Sequence, residues 1–306
     1  MILKAYEHNL TYLLFFGGIM DIINILIGIS IGVVQGLTEF LPVSSSAHLV
    51  FMHELTGFAP NLAFDILLHV GTLIAVVAYF WKDIAQMIMA FVSSIMDIPR
   101  HRFIRGIQED QFKKMAWFII IGSIPAGLAA FLFKDLFESF FSNATAVGFF
   151  LLITGFLLWG SERVSRRSSK TSLNNDNKVT LEKMNAKDAL VIGTAQAFSI
   201  APGISRSGST ISTGLFLGLE RELVARFSFL LSIPAILGAA IVQINDISLG
   251  FDTNTGAFVA GLIAAAVSGY LAIKLMLKLI KERSLMIFAY YCWIVGLAAI
   301  VISLLF

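Results

Sequence analysis

The sequence predicts an all-α integral membrane protein. It is polytopic and built from two inverted-topology repeats, each a re-entrant helical hairpin followed by three spanning helices. Three observations carry that prediction: the composition, the apolar runs and a faint internal repeat. Hydrophobic residues make up 57% of the 306 and charged residues 14%, against roughly 45–50% and about 25% in soluble globular proteins. Mean hydropathy is +0.83, and there are 27 phenylalanines. A soluble fold of this size has no interior large enough for so much apolar surface, so the solvent is lipid. That excludes a cytosolic enzyme, a disordered scaffold and a secreted disulfide framework. The single cysteine, Cys292, lies in an apolar run and leaves no internal disulfide or thiolate metal cage. The net charge of +2 gives no argument for nucleic acid.

Taken in chain order, residues 1–20 read as an N-terminal extension, with Met20 as an alternative start. Lys4, Glu7 and His8 precede only a short apolar stretch, and no small-residue cleavage pattern follows. Residues 21–306 form a single membrane domain: repeat one over about 21–160, a cytoplasmic loop over 161–187, and repeat two over about 188–306. Six stretches are long and apolar enough to cross a core of roughly 30 Å: 62–80, 115–133, 144–160, 227–243, 256–279 and 285–306. Two further regions, 22–56 and 188–218, are apolar but interrupted. Each interruption holds a proline and a serine cluster: Pro42 with Ser44, Ser45 and Ser46, and Pro202 with Ser205 and Ser207. The flanking halves, 11–17 residues each, are too short to span, so these regions read as re-entrant hairpins whose irregular backbone is satisfied by protein or enclosed water.

Basic residues set the orientation. Arg100, Arg102, Arg105, Lys113 and Lys114 fall in one loop. Arg163, Arg166, Arg167, Lys170, Lys178, Lys183 and Lys187 fall in a second, and Lys278, Lys281 and Arg283 form a third cluster. Placing these in the cytoplasm makes the spans alternate, provided 188–218 enters and leaves on that side. Residues 81–96 are then expected along the inner face. Without gaps, 31–50 overlays 192–211, matching Ile31, Gly32, Gln35, Ser44 and Ser46 with Ile192, Gly193, Gln196, Ser205 and Ser207. Inverted repeats with broken helices place their site near the midplane, where the repeats meet.

Glu39, His48 and Arg206 sit in or beside the breaks. A charge at the bilayer centre costs roughly 2.5–3.5 kcal/mol on the lower scales, so such residues need partners or a polar ligand. A Glu–Arg pair pinning one hairpin to the other is the structural alternative to a catalytic role. The second break has the makings of an anion cradle: Gly203 and Gly208 for close approach, Ser205, Ser207, Ser209 and Thr210 for hydroxyls, and Arg206 for a planar fork. A helix starting near Ser207 would aim its free N–H groups at the same spot. The first break opens a helix behind Ser44, Ser45 and Ser46, and simple N-capping is the alternative for a serine in each break. Two such helix starts facing each other suit a diphosphate. His48 follows Ser44 by four residues and Ser45 by three, so either hydroxyl could share its face, with Glu39 orienting or activating a partner. Gln35 and Gln196 are supporting residues at matched positions. His53 and Glu54 are expected at the surface; Asp65 and His69, four apart on one helix face, either reach the site or sit at the interface, the interface being favoured.

QGLTEFLPVSSSAH (35–48) and PGISRSGST (202–210) resemble the two signature motifs of the undecaprenyl-diphosphate phosphatase family, the bacitracin-resistance proteins. The resemblance covers the chain from about residue 21. It implies hydrolysis of a polyprenyl diphosphate to the monophosphate and inorganic phosphate, recycling the carrier lipid for cell-wall synthesis. It further implies a multi-pass plasma-membrane protein with its site open to the extracytoplasmic side. Carried over by motif position, Glu39, Ser45, His48 and Arg206 are the catalytic set, with Ser205, Ser207 and Thr210 around the phosphate. Where some members have glutamate, this chain has Gln35, leaving Glu39 as the expected essential carboxylate. The nucleophile stays open among Ser45, His48 and water. No tightly bound cofactor or dedicated metal motif is expected; a divalent cation, Mg or Ca, could neutralise the diphosphate, and Glu39 could touch it. The expected partners are the lipid substrate and membrane lipid, with a homodimer left open. The alternative function is an inverted-repeat transporter or flippase of an anionic lipid or phosphate-containing solute.

Overall fold

A computed structural model describes residues 2–58, 62–99, 103–141, 143–171, 179–243 and 255–305. Most of the described residues are helical: α1 (Ile2–Phe40), α2 (Ser45–Thr56), α3 (Leu62–Met96), α4 (Phe103–Glu109), α5 (Gln111–Leu132), α6 (Lys134–Phe141), α7 (Ala144–Thr171), α8 (Ala186–Phe198), α9 (Arg206–Phe216), α10 (Arg221–Val242), α11 (Thr255–Glu282) and α12 (Met286–Leu305). Among the described residues, a lone bridge between Val179 and Leu219 is the one β-type pairing.

Seven of these helices are long and apolar enough to cross a membrane, one more than the sequence suggested. The addition is Met20–Phe40, whose 21 residues exceed the short half-span expected there. No breaker interrupts it, because its glycines pack rather than bend. A side chain on Gly32 would collide with the carbonyl of Gly261, and one on Gly28 with that of Ala257. α3 continues past the expected end of its span, but Phe80 leaves helical geometry (φ −102°, ψ 19°), so the rod bends there. The Arg226 guanidinium lies 5.5 Å from the Phe80 ring centre and pairs with Asp83 at 3.0 Å, fastening the bend to α10.

Close packing reveals helix direction. Gly28, Gly32 and Gly36 meet Ala257, Gly261 and Ala265 in succession, so α1 and α11 run parallel. Gly71 lies on Leu262 and Ala75 on Gly269, so α3 runs the same way. α2 is therefore the return arm of a hairpin that leaves at the end where α3 begins, and His53 of α2 meets Asp65 of α3 there at 2.9 Å. The second hairpin repeats this. Lys114 Nζ donates to the Glu182 carbonyl just ahead of α8, and Gly122 lies against Ala189, Gly193, Phe227 and Leu231, so α5, α8 and α10 share a direction. The bridge closes the hairpin's mouth: Val179 N donates to Gly218 O at 3.1 Å and Glu220 N to Val179 O at 3.0 Å.

α5 runs against α3, since Lys113 pairs with Asp97 at 2.6 Å and Trp117 Nε1 donates to Ser94 Oγ at 2.9 Å. The two hairpin mouths thus lie at opposite ends of the bundle. α7 and α12 are antiparallel, with Thr145 and Ser303 hydroxyls 2.9 Å apart and Gly148 and Gly296 each facing the other's carbonyl. Where α5, α8 and α10 begin, Glu162 accepts from Arg221 (3.0 Å), Arg166 (2.7 Å) and Leu285 N (3.2 Å). That buried carboxylate ties α7 and α10 to the α11–α12 turn at the end rich in basic side chains. Of the basic residues expected there, Arg100, Arg102 and Lys178 lie outside the described residues, as does the loop 244–254.

Candidate active site

The first break begins where α1 stops at Phe40. Pro42 cannot extend the helix because it lacks an N–H, and Ser44 adopts φ 69°, ψ 96°, the one non-glycine positive φ among the described residues. Such a conformation costs of order 1–3 kcal/mol and persists only where its surroundings impose it. Ser44 then caps α2, with Ala47 N 3.5 Å from its Oγ and the Ser46 hydroxyl 3.2 Å away.

The second break is built alike. Gly203 has φ +103°, and a side chain there would strike the Val147 carbonyl of α7. Thr154 of α7 donates to Gly203 O at 3.0 Å and accepts from Ser205 N at 3.0 Å. Ser205 caps α9 by accepting from Gly208 N at 3.1 Å, and its hydroxyl lies 3.2 Å from that of Ser207. The breaks are also bonded to one another. Gly203 N donates to Ser46 Oγ at 3.3 Å, and Ser207 Oγ donates to Leu41 O at 3.1 Å.

Ser45 and Arg206 each occupy the first helical position after a capping serine, and both reach one carboxylate. Arg206 Nη2 donates to Glu39 Oε1 at 2.8 Å, while Ser45 Oγ donates to Oε2 at 2.6 Å. Gln35 Nε2 adds a third bond to Oε2 at 3.0 Å, and Arg206 Nη1 donates to Ser228 O at 3.0 Å. Glu39 is 7% exposed, and His69 Nε2 stands 3.9 Å from Oε2 with its own side chain 34% exposed. The hairpin-pinning Glu–Arg pair therefore forms, and it forms at the residues expected to do chemistry. An ionised carboxylate in apolar surroundings needs such donors.

Other expectations are redistributed. His48 meets neither serine hydroxyl: Nδ1 donates to Ser44 O at 2.7 Å, and Nε2 lies 2.7 Å from the Tyr291 hydroxyl. The Ser–His pair inferred from spacing is not made, because the ring faces back along its own turn and out to α12. Thr210 is fully buried and turned toward α10, bonded to Arg206 O at 2.8 Å and to the Ser228 hydroxyl at 2.7 Å. Gly208 packs against Ser205 and Thr154. Gln196 is 2% exposed with no partner for either amide atom, since Ile200 stands four residues on where Glu39 follows Gln35. Ser209 Oγ is likewise buried without a partner. His53, expected at the surface, is 7% exposed and paired with Asp65. Of the two places open to His69, the less favoured one is realised: it faces Glu39. Sequence reading missed Tyr291, Ser228 and Thr154. Only the four-residue spacing of Asp65 and His69 gave any local hint of a further site group.

Known proteins of one family are similar to this chain. The family described as bacitracin resistance protein BacA matches residues 28–298. The undecaprenyl-diphosphatase of Methanobrevibacter smithii is 51% identical over 279 residues, covering 91% of this chain and 96% of its own. That of Methanothermobacter thermautotrophicus is 63% identical over 187 residues, 61% of this chain and 99% of its own. That of Halothermothrix orenii is 42% identical over 285 residues, 91% of this chain and 98% of its own.

Proposed function

Because the chain belongs to the bacitracin resistance protein BacA family, we infer that it is a multi-pass plasma-membrane enzyme hydrolysing undecaprenyl diphosphate to the monophosphate and inorganic phosphate. The observation that carries this reading is the buried Glu39 carboxylate held between Ser45 and Arg206 where two helix starts meet. The transporter alternative is not favoured, since each relative named above is a diphosphatase.

In the proposed reaction the diphosphate competes with Glu39 for Arg206, whose fork suits phosphate oxygens. The first N–H groups of α2 and α9, which have no intrahelical partner, supply further donors. Ser45 Oγ attacks the terminal phosphorus and its proton passes to Glu39 Oε2, 2.6 Å away. The bond to the bridging oxygen breaks and its electron pair leaves with the polyprenyl monophosphate. Water then cleaves the phosphoserine, releasing phosphate. Direct attack by water with Glu39 as base is the competing scheme. His48 as nucleophile has less support, because both of its ring nitrogens are engaged. Gly203, Ser44 and Ser205 shape and cap the cradle.

Among the described residues, no three His, Cys, Asp or Glu side chains converge on a metal position. One carboxylate with hydroxyl neighbours fits a hard cation only where substrate oxygens and water complete its coordination. Glu39 would hold such a Mg or Ca ion, which would neutralise diphosphate charge. Every side chain invoked comes from one copy of the chain.

The proposal extends to two inverted-topology repeats. It is supported by the matched serine geometry of the breaks, the opposed hairpin mouths, and the reciprocal Gly148–Gly296 contact of antiparallel α7 and α12. The site is proposed to open extracytoplasmically. Its part-exposed neighbours His69 and Asp65 lie toward the start of α3, away from the basic end that the positive-inside rule places in the cytoplasm. Purified protein in detergent should release phosphate from polyprenyl diphosphate without any membrane gradient. Intact substrate across pH and cation conditions would sink the enzyme reading, and a trapped phosphoserine at Ser45 would separate the two schemes.

A further inference from the structure

Tyr291 lies on α12, 243 residues from His48 along the chain. Neither motif contains it. His48 has its full hydrogen-bonding capacity engaged. A carbonyl oxygen only accepts, so the 2.7 Å contact with Ser44 O requires a proton on Nδ1. In the neutral ring Nε2 is then the acceptor, and the Tyr291 hydroxyl donates a hydrogen bond to it at 2.7 Å. The two rings are inclined by only 8° with centroids 5.7 Å apart, and the Phe51 ring stands at a steep angle to the imidazole at 6.3 Å. The next residue, Cys292, is buried with its thiol 3.6 Å from Pro42 O. Adjacent residues of the last helix thus hold the first break at both ends, Pro42 and His48.

We propose that Tyr291 is a positioning residue of the phosphatase site, fixing the ring plane of His48 at the edge of the cradle while Ser44 O sets its tautomer; this rests on the reading of function above. Two bonds from opposite sides give the imidazole one orientation, with Nε2 turned away from Ser45 and toward α12. That leaves Glu39 as the sole base on the Ser45 hydroxyl. Without the Tyr291 hydroxyl, Nε2 loses its donor, and the ring, held by Ser44 O alone, pivots about that single bond instead of keeping one plane beside Ser45. Losing a fixed geometry lowers turnover more than binding.

Tyr291→Phe keeps the ring and removes the hydroxyl. Its kcat should fall on the order of ten- to a hundredfold, with KM little changed. In a His48→Gln background the same substitution should have no further effect, because there is no ring left to position. An equal loss in both backgrounds would overturn the proposal. Tyr290→Phe, whose ring packs on Trp293, should leave kcat unchanged; a matching loss there would make the effect general to α12 and equally overturn it. Nitrogen resonances of ¹⁵N-histidine protein, with His48 assigned from the His48→Gln spectrum, give a readout without turnover. Tyr291→Phe should shift Nε2 and leave Nδ1 hydrogen-bonded, and an unmoved Nε2 signal would refute the contact. Wild-type protein that released no phosphate would instead overturn the functional reading, a result the nitrogen signals cannot mimic.

Discussion

The two breaks share a backbone plan and divide the chemistry between them. Each has a capping serine, a second serine hydroxyl 3.2 Å from the first, and a polar residue at the first helical position. The first break adds Glu39 and His48 around that plan. At the matching positions the second has Ile200 and Ser209, and it contributes Arg206 instead. A shared backbone plan thus puts hydroxyls and helix starts on both sides, while unlike side chains place a carboxylate on one and a guanidinium on the other.

The sharpest way to break this comparison is at its junction. Glu39→Gln should lower phosphate release by about 10³-fold or more, since it removes the proposed base and leaves Arg206 without its counter-charge. Turnover near the wild-type level would remove the carboxylate from the chemistry. Arg206→Ala should cost about 10²–10³ in kcat, and Arg206→Lys should recover only part, because an ammonium cannot reach Glu39 and Ser228 together in a fork. Assays on protein that still elutes as a folded species in detergent would distinguish this loss from misfolding.

The comparison is next sharpened in the frame. Gly32→Ala and Gly193→Ala should each destabilise by about 1–3 kcal/mol, because either methyl meets a facing glycine carbonyl. Thermal melting in detergent should show similar losses, and a loss confined to one would contradict equivalence of the halves. The smallest effect concerns the matched glutamines. Gln35→Leu should lower activity about tenfold by removing a bond to ionised Glu39. Gln196→Leu should be neutral or stabilising, since both amide atoms are buried without partners.

Much of this was legible in the chain. The apolar runs located the spans because lipid demands length and hydrophobicity together, and the Pro–Ser clusters located both breaks. Glu39 and Arg206 stood out because charge is scarce in the apolar segments. The Met20–Phe40 span was underestimated because the apolar run gives way to polar residues from Glu39, whereas α1 is already helical at Met20 and stays so to Phe40. His48's partner was invisible for a different reason. Helical spacing ranks neighbours three and four residues away, whereas Tyr291 arrives from the last helix, and a tyrosine among apolar residues carries no positional signal. Likewise, His53 seemed superficial until the return of α2 beside the start of α3 gave it Asp65.

The glycine seams between α1 and α11 and between α5 and α8 bear on how this bundle responds to temperature. In lipid, helices gain little by hiding apolar surface from one another, so close backbone approach and dispersion must hold them together. Seams tight enough to exclude a methyl group draw on that attraction. The water-driven component that fades on cooling in soluble proteins has little part in it. The frame around the two breaks is therefore one that cold should leave firmly closed.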